Sequence, residues 1–395
     1  MSIPIADHVR DIPKSGIRDF FEIVQSMTDV ISLGIGEPDF VTPWHIREAA
    51  IYSLEKGRTG YSSNLGLPRL RRAISDTVQR ATGVRYDPLS EVLVSVGVSE
   101  AIDIALRAIL NPGDEVLYHE PCYVSYNPSV ALAFGVARAI PTRAEDEFSL
   151  RPEALEAAIG PRTKAVMLNF PTNPTGGVMD RAQIEAIADV CIRHDLTVLT
   201  DEIYSELTYD DREHFSIVAV PGMRERTIYL HGLSKAYAMT GFRVGYACGP
   251  NAVIEAMMKI HQYSILCASI TSQDAAVEAL ERGTPAMLRM RREYELRRNY
   301  VVSALNDMGL ECFMPRGAFY VFPKITSTGL TSREFSMRLL HEKRVAVVPG
   351  TAFGPSGEGH VRCSYATGLE QIKTAMQRIA EFVAEVREER TRTAA

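Results

Sequence analysis

The stretch 91-EVLVSVGVSEAIDIALRAILNPGDEVLYHE-120 decides the fold. It opens with EVLVSVG, a short valine-rich apolar run of the kind that makes a buried strand. SEAIDIALRAIL follows, with Ile102, Ala105, Leu106 and Ile109 at helical spacing, so one face is apolar. NPGD then stops the helix, and EVLYHE starts a second strand. Short strands separated by helices in this way imply a mostly parallel sheet.

The same alternation extends outward through KAVMLNF, a helix from Asp180 to His194, TVLTDEIY, TIYLHG and RVGYACG. Short apolar strands divided by amphipathic helices predict an α/β fold, a mostly parallel doubly wound sheet covered by helices on both faces. After Asn251 the character changes to long helices, through His261 and then about 285 to 308, followed by GAFYVFPK, a helix near 331 to 342, VAVVPG, HVRCSYA and a final helix that ends in a charged tail. This reads as a smaller α+β domain. The expected division is 1–45 as an N-terminal segment joining the small domain, 46–289 as a large cofactor-binding domain, and 290–395 as the small domain.

At 395 residues, 46% of them hydrophobic, the chain is long enough for a buried site in a two-domain molecule. Its formal charge of −6 argues against a nucleic-acid partner. The basic runs MRRE and LRRN near 290 to 299 read as a solvated helix face. No apolar run approaches a membrane span, the N-terminus carries charges throughout, and six cysteines lack metal or disulfide spacing. The expected setting is the cytosol, with no metal and no membrane.

Several chemistries fall away. Gly232-Leu233-Ser234-Lys235-Ala236 lacks the last glycine of a nucleophile elbow. Gly34-Ile35-Gly36 lacks the third glycine of a dinucleotide fingerprint and runs into Glu37-Pro38. Neither GxxxxGK nor HExxH occurs. What remains is Lys235 among groups suited to an aromatic, phosphorylated aldehyde, which needs an amine, a carboxylate for a ring nitrogen, donors for a phenolic oxygen and a phosphate cradle. Asp201 ends an apolar strand, although a lone acid there is commonly a helix cap. Tyr204 follows it, Asn173 opens the turn NPTG, and Gly97-Val98-Ser99 opens a helix whose free amides could hold an anion. Singly, each of these has an ordinary structural explanation.

Taken in order, from SLGIGEPDF to VRCSYA, these motifs resemble the class I and II aminotransferases, the fold-type I pyridoxal-phosphate enzymes. SGIRDF, DEIYSELTYD, HGLSKAYAMTGFRVG and VAVVPGTAFG are similar to aromatic or broad-specificity members. The resemblance implies pyridoxal 5'-phosphate as cofactor, with Lys235 as the Schiff-base lysine and Asp201 on the ring nitrogen. It implies Asn173 and Tyr204 on the phenolic oxygen and Tyr123 stacked on the ring. For the phosphate it implies the backbone amides of Val98 and Ser99, the side chain of Arg243 and the hydroxyl of Ser234 or a neighbour; many relatives place a serine three residues before the lysine, where this chain has Gly232. It further implies that Tyr61 reaches a partner's phosphate in a homodimer, and that Arg362, with Asn173 and the backbone of Gly36, holds the substrate carboxylate. The implied reaction moves an amino group from an L-amino acid to a 2-oxo acid such as 2-oxoglutarate, in ping-pong fashion. A carbon–sulfur β-lyase on the same scaffold and a non-catalytic binding module stand as alternatives.

Overall fold

The structure is a computed structural model that describes residues 3–10, 12 and 27–394. The stretch SGIRDF lies outside the described residues. The strands are β1 (Ile31–Ser32), β2 (Val92–Ser95), β3 (Glu115–Glu120), β4 (Val136–Pro141), β5 (Thr163–Leu168), β6 (Thr197–Asp201), β7 (Thr227–Gly232), β8 (Gly245–Cys248), β9 (Tyr320–Val321), β10 (Val345–Ala346), β11 (Val348–Pro349) and β12 (Val361–Ser364). Seven of them form one sheet in the order β2-β8-β7-β6-β5-β3-β4. Only β8 runs antiparallel to its neighbours; the other pairs are parallel.

Successive residues of these strands point to opposite faces, and both faces are covered. Leu93, Val116, Met167, Leu199 and Leu230 pack with the helix Gly97–Ile109. Leu117, Val166, Leu168 and Val198 pack with the helix Arg181–Arg193. Burial on both sides is why these strands read as continuous apolar runs rather than alternating ones. Asp180 caps the latter helix through a reciprocal box with Gln183.

The sequence reading missed β4 and the helix Ile270–Arg282. β4 is the sheet edge, and most of its VARAIP side chains face solvent, so it carries no apolar signal.

A second core gathers Leu33, Val302, Leu305, Phe335, Val345, Val361 and Phe382 around two small sheets, β1-β10 and β11-β12-β9. The segment after β1 is held here, because Leu33 donates its amide to Ala346 and accepts one from Ser364. The short helix Asp7–Arg10 lies elsewhere, with the His8 ring tilted against Phe134 at 4.7 Å between centres.

The helix Thr284–Asp307 corrects one expectation. Arg297 and Arg298 of the basic run are buried, with side chains 7% and 2% exposed. Arg297 pairs with Asp39, and Arg298 pairs with Asp210 while covering the ring of Tyr209. Burial of two arginines requires such partners. Among the described residues no helix is long and apolar enough to cross a membrane.

Candidate active site

A cavity of about 470 Å³ opens at the carboxyl ends of the large sheet's parallel strands, the place where α/β sheets bind ligands. Gly36, Val98, Ser99, Tyr123, Asn173, Asp201, Tyr204, Ser234, Lys235, Arg243 and Arg362 all line it. Tyr61 does not; it is 84% exposed on the surface.

Lys235 lies three residues beyond β7, and its Nζ donates to the Gly36 carbonyl at 2.6 Å. Burial lowers its pKa to about 8; Glu37 opposes that change, while Arg362 and Arg243 add to it. An amine so placed is available as a nucleophile and base near neutral pH.

The two acids that end TVLTDE part company. Asp201 is aimed into the cavity, where burial raises its pKa to about 6 against hydrogen bonds from Tyr126 and the Ile203 amide. Glu202 instead accepts from Thr200 and Ser216 and contacts His214 at 2.7 Å. It is a packing acid with satisfied oxygens, the ordinary explanation that Asp201 escapes.

Beside them a cationic cradle forms at the start of the helix Gly97–Ile109, whose first amides have no intrahelical acceptor. Gly97 has a φ of +75°, and a Cβ there would collide with the Arg243 guanidinium. Arg243 itself sits at φ +53°, a left-handed conformation that costs a non-glycine residue about 1 kcal/mol or more. Gly232 is equally constrained: a Cβ would stand 3.0 Å from both the Val244 carbonyl and Val98. No serine fits there without displacement, which leaves Ser99, Ser234 and Thr240 as hydroxyls lining this end.

On the opposite side Arg362, from β12, is buried. Its Nη1 donates to Asn173 Oδ1 at 2.8 Å and its Nη2 to the Gly34 carbonyl at 2.5 Å. Its guanidinium lies 4.5 Å from the Tyr320 ring centre and 4.8 Å from that of Phe353. Among the described residues its Nε has no partner. A planar cation with open donor capacity in a cavity suits a carboxylate.

Three contributors escaped the sequence reading. Tyr126 donates to Asp201 Oδ2 at 2.8 Å, and Asn169 donates to the Asp201 carbonyl at 2.8 Å while its own oxygen takes the Asn173 amide. Tyr320 meets Tyr204 hydroxyl to hydroxyl at 2.9 Å. Position within PCYVSY and LNFPTN could have raised the first two, but a buried tyrosine or asparagine ordinarily reads as core.

The sequence profile described as "Aminotransferase class I and II" matches residues 28–379. An aspartate aminotransferase from Pyrococcus abyssi is 46% identical over 383 residues, covering 96% of this chain and 98% of the relative. An aromatic-amino-acid aminotransferase from Thermococcus litoralis is 44% identical, with the same coverage of 96% and 98%. The crystal structure of an aromatic aminotransferase from Pyrococcus horikoshii superposes with a TM-score of 0.89 at 47% identity, over 93% of this chain and 99% of that one. An aspartate aminotransferase from Thermus thermophilus, crystallised with maleate, gives a TM-score of 0.91 at 38% identity, over 96% and 100%. A match that runs along nearly the whole chain, on a fold with this cavity, makes the protein an enzyme of the class I and II aminotransferase family, a family dependent on pyridoxal phosphate.

Proposed function

We propose that the enzyme transfers the amino group of an L-amino acid, with aromatic or broad side-chain preference, to a 2-oxo acid such as 2-oxoglutarate, using pyridoxal phosphate bound in this cavity. The observation that carries the reading is Lys235: a half-buried amine of lowered pKa, facing one cavity with a buried acid, a helix start backed by Arg243, and a second arginine opposite. That donor set fits the cofactor group by group. A buried Asp201 would be matched by a protonated ring nitrogen, and the Gly97 turn leaves a niche only where no side chain intrudes.

When bound, the cofactor supplies an aldehyde that condenses with amines and a protonated ring that draws electrons from the substrate α-carbon. Lys235 would supply the enzyme's own amine for that aldehyde and, with its lowered pKa, would serve as the base that moves the proton at the substrate α-carbon. Asp201 would accept the ring N–H. Tyr204 would donate to the phenolic oxygen, and so would the Asn173 amide nitrogen, since Asn173 Oδ1 already accepts from Arg362. Tyr123 would cover the ring face. Val98, Ser99, Ser234 and Arg243 would hold the phosphate. Arg362 grips the substrate α-carboxylate, and the Gly36 backbone closes on it.

The same reading makes the enzyme a homodimer. Tyr61 is exposed together with Tyr263, Ile265 and Leu266, and Asn64 donates to the Leu266 carbonyl, so the two loops lie side by side as one apolar edge. From there Tyr61 would reach the partner's phosphate. The six cysteines are unpaired and five are buried, which suits a reducing cytosolic setting.

A panel of amino donors, read in single turnover by the change in visible absorbance of the loaded protein, tests the reaction and ranks substrates. Tyrosine and phenylalanine should react fastest, with the amino group recovered on 2-oxoglutarate. Release of pyruvate and ammonia from cystathionine with no amino transfer would contradict the reading and favour a β-lyase.

A further inference from the structure

Tyr320 is fully buried in β9, yet it lines the cavity and touches both of its grips. Its hydroxyl lies 2.9 Å from that of Tyr204, and its ring lies beneath Arg362, 4.5 Å from the guanidinium carbon. The strap at Gly36 closes over the same hydroxyl, since a Cβ on Gly36 would stand 2.8 Å from it. β9 pairs with β12 through Ser364 and Cys363, so the backbone that carries Arg362 also fixes this ring.

Each phenol has one proton, which decides the direction of the contact. If Tyr204 gives its proton to the cofactor's phenolic oxygen, Tyr320 must be the donor to Tyr204. A hydroxyl oxygen that accepts a hydrogen bond becomes a stronger donor through its own O–H. Burial keeps both phenols protonated, their pKa values raised above the usual tyrosine range. The charged and titratable groups facing the pair are Arg362 from β12, Tyr123 after β3, Asp201 at the end of β6 and Lys235 after β7.

We propose that Tyr320 is a positioning residue that couples the cofactor grip to the substrate grip: its hydroxyl orients and strengthens the donation from Tyr204, and its ring holds the fork of Arg362. The proposal rests on the reading of Tyr204 and Arg362 given above. The two parts separate by substitution, because Tyr320→Phe keeps the ring and removes the hydroxyl, whereas Tyr320→Leu removes both.

The test uses the full protein loaded with pyridoxal phosphate, with the pH midpoint of its long-wavelength absorbance band and the KM for the amino donor as readouts. Donors to the phenolic oxygen favour its ionised form and lower that midpoint. Tyr320→Phe should shift the midpoint upward, by less than Tyr204→Phe does, and leave KM within about twofold. The double variant should titrate with Tyr204→Phe alone, since Tyr320 acts through Tyr204. Tyr320→Leu should raise KM by roughly tenfold through loss of the cation–ring contact. A Tyr320→Phe midpoint equal to wild type, or shifts that add in the double variant, would overturn the proposal, as would a wild-type KM in Tyr320→Leu. If Tyr320→Leu fails to fold, the Tyr320→Phe midpoint and the double variant still decide. A wild-type protein with no such band and no transamination would instead count against the proposed function itself.

Discussion

Val98, Tyr123, Asn173, Asp201 and Lys235 each stand at or within five residues of the carboxyl end of a strand in one continuous sheet, whereas the facing wall is assembled from a strap, Gly34 to Asp39, and from Tyr320 and Arg362 on paired short strands of one small sheet. The first wall is placed by backbone hydrogen bonds. Charged side chains largely hold the second: Arg362 reaches across to the Gly34 carbonyl and Asn173, and Arg297 clamps Asp39 with two contacts of 2.9 Å while covering Phe40. The difference separates two tasks. A rigid wall suits chemistry that needs fixed donors; a strap tied by one ion pair and by the side-chain hydrogen bonds of Arg362 can admit and release substrate, as hinge and strap motions require.

If the division holds, substitutions on the sheet wall act on turnover and those on the facing wall act on KM. The largest expected effect is Lys235→Ala, which should lower turnover by about a thousandfold or more, measured in steady state with saturating cofactor. Next comes Arg362→Lys, which keeps the charge but loses the planar fork. It should raise KM about a hundredfold while kcat changes far less, and equal losses in both would erase the contrast between the walls. Asp39→Asn should loosen the strap and raise KM by roughly fivefold to tenfold without altering cofactor affinity; a fall in cofactor affinity instead would make the clamp part of the sheet wall.

The smallest effect is on stability. Asp201 has a pKa near 6 in the folded, cofactor-free protein, above the usual carboxylate range. Its protonated form therefore favours folding below the ordinary carboxylate pKa, and that contribution is lost as pH rises through about 6. The loss amounts to about 3 kcal/mol. Cofactor-free Asp201→Asn should show a flatter fall in Tm between pH 5 and 7 than the wild type. Parallel Tm profiles would mean that Asp201 is not strained when empty of its ring partner.

The same contrast explains what could be read in advance. Strand ends are visible in sequence because valine-rich runs stop at polar residues, so Asp201, Asn173 and the Gly97 turn could be singled out before any family likeness was drawn. The facing wall has no such local mark. Arg362 sits in an unremarkable strand, Tyr320 is one aromatic in GAFYVF, and their contacts, with Asn173 and with Tyr204 in turn, join residues more than a hundred apart in the chain. Arg297 and Arg298 misled for a related reason: helical periodicity shows which face a residue is on, and only the fold brings Asp39 and Asp210 to that face. Tyr126 was hidden differently, since its hydroxyl partner is revealed only when the start of the helix Tyr126–Leu132 comes within reach of Asp201 at the end of β6.

The central claim is that one amine captures the cofactor. Borohydride reduction of the protein loaded with pyridoxal phosphate, followed by peptide mass mapping, tests it most directly. The account predicts a pyridoxyl mark on Lys235 in stoichiometric yield and on no other lysine. A mark on a different lysine, or none at all, would contradict it.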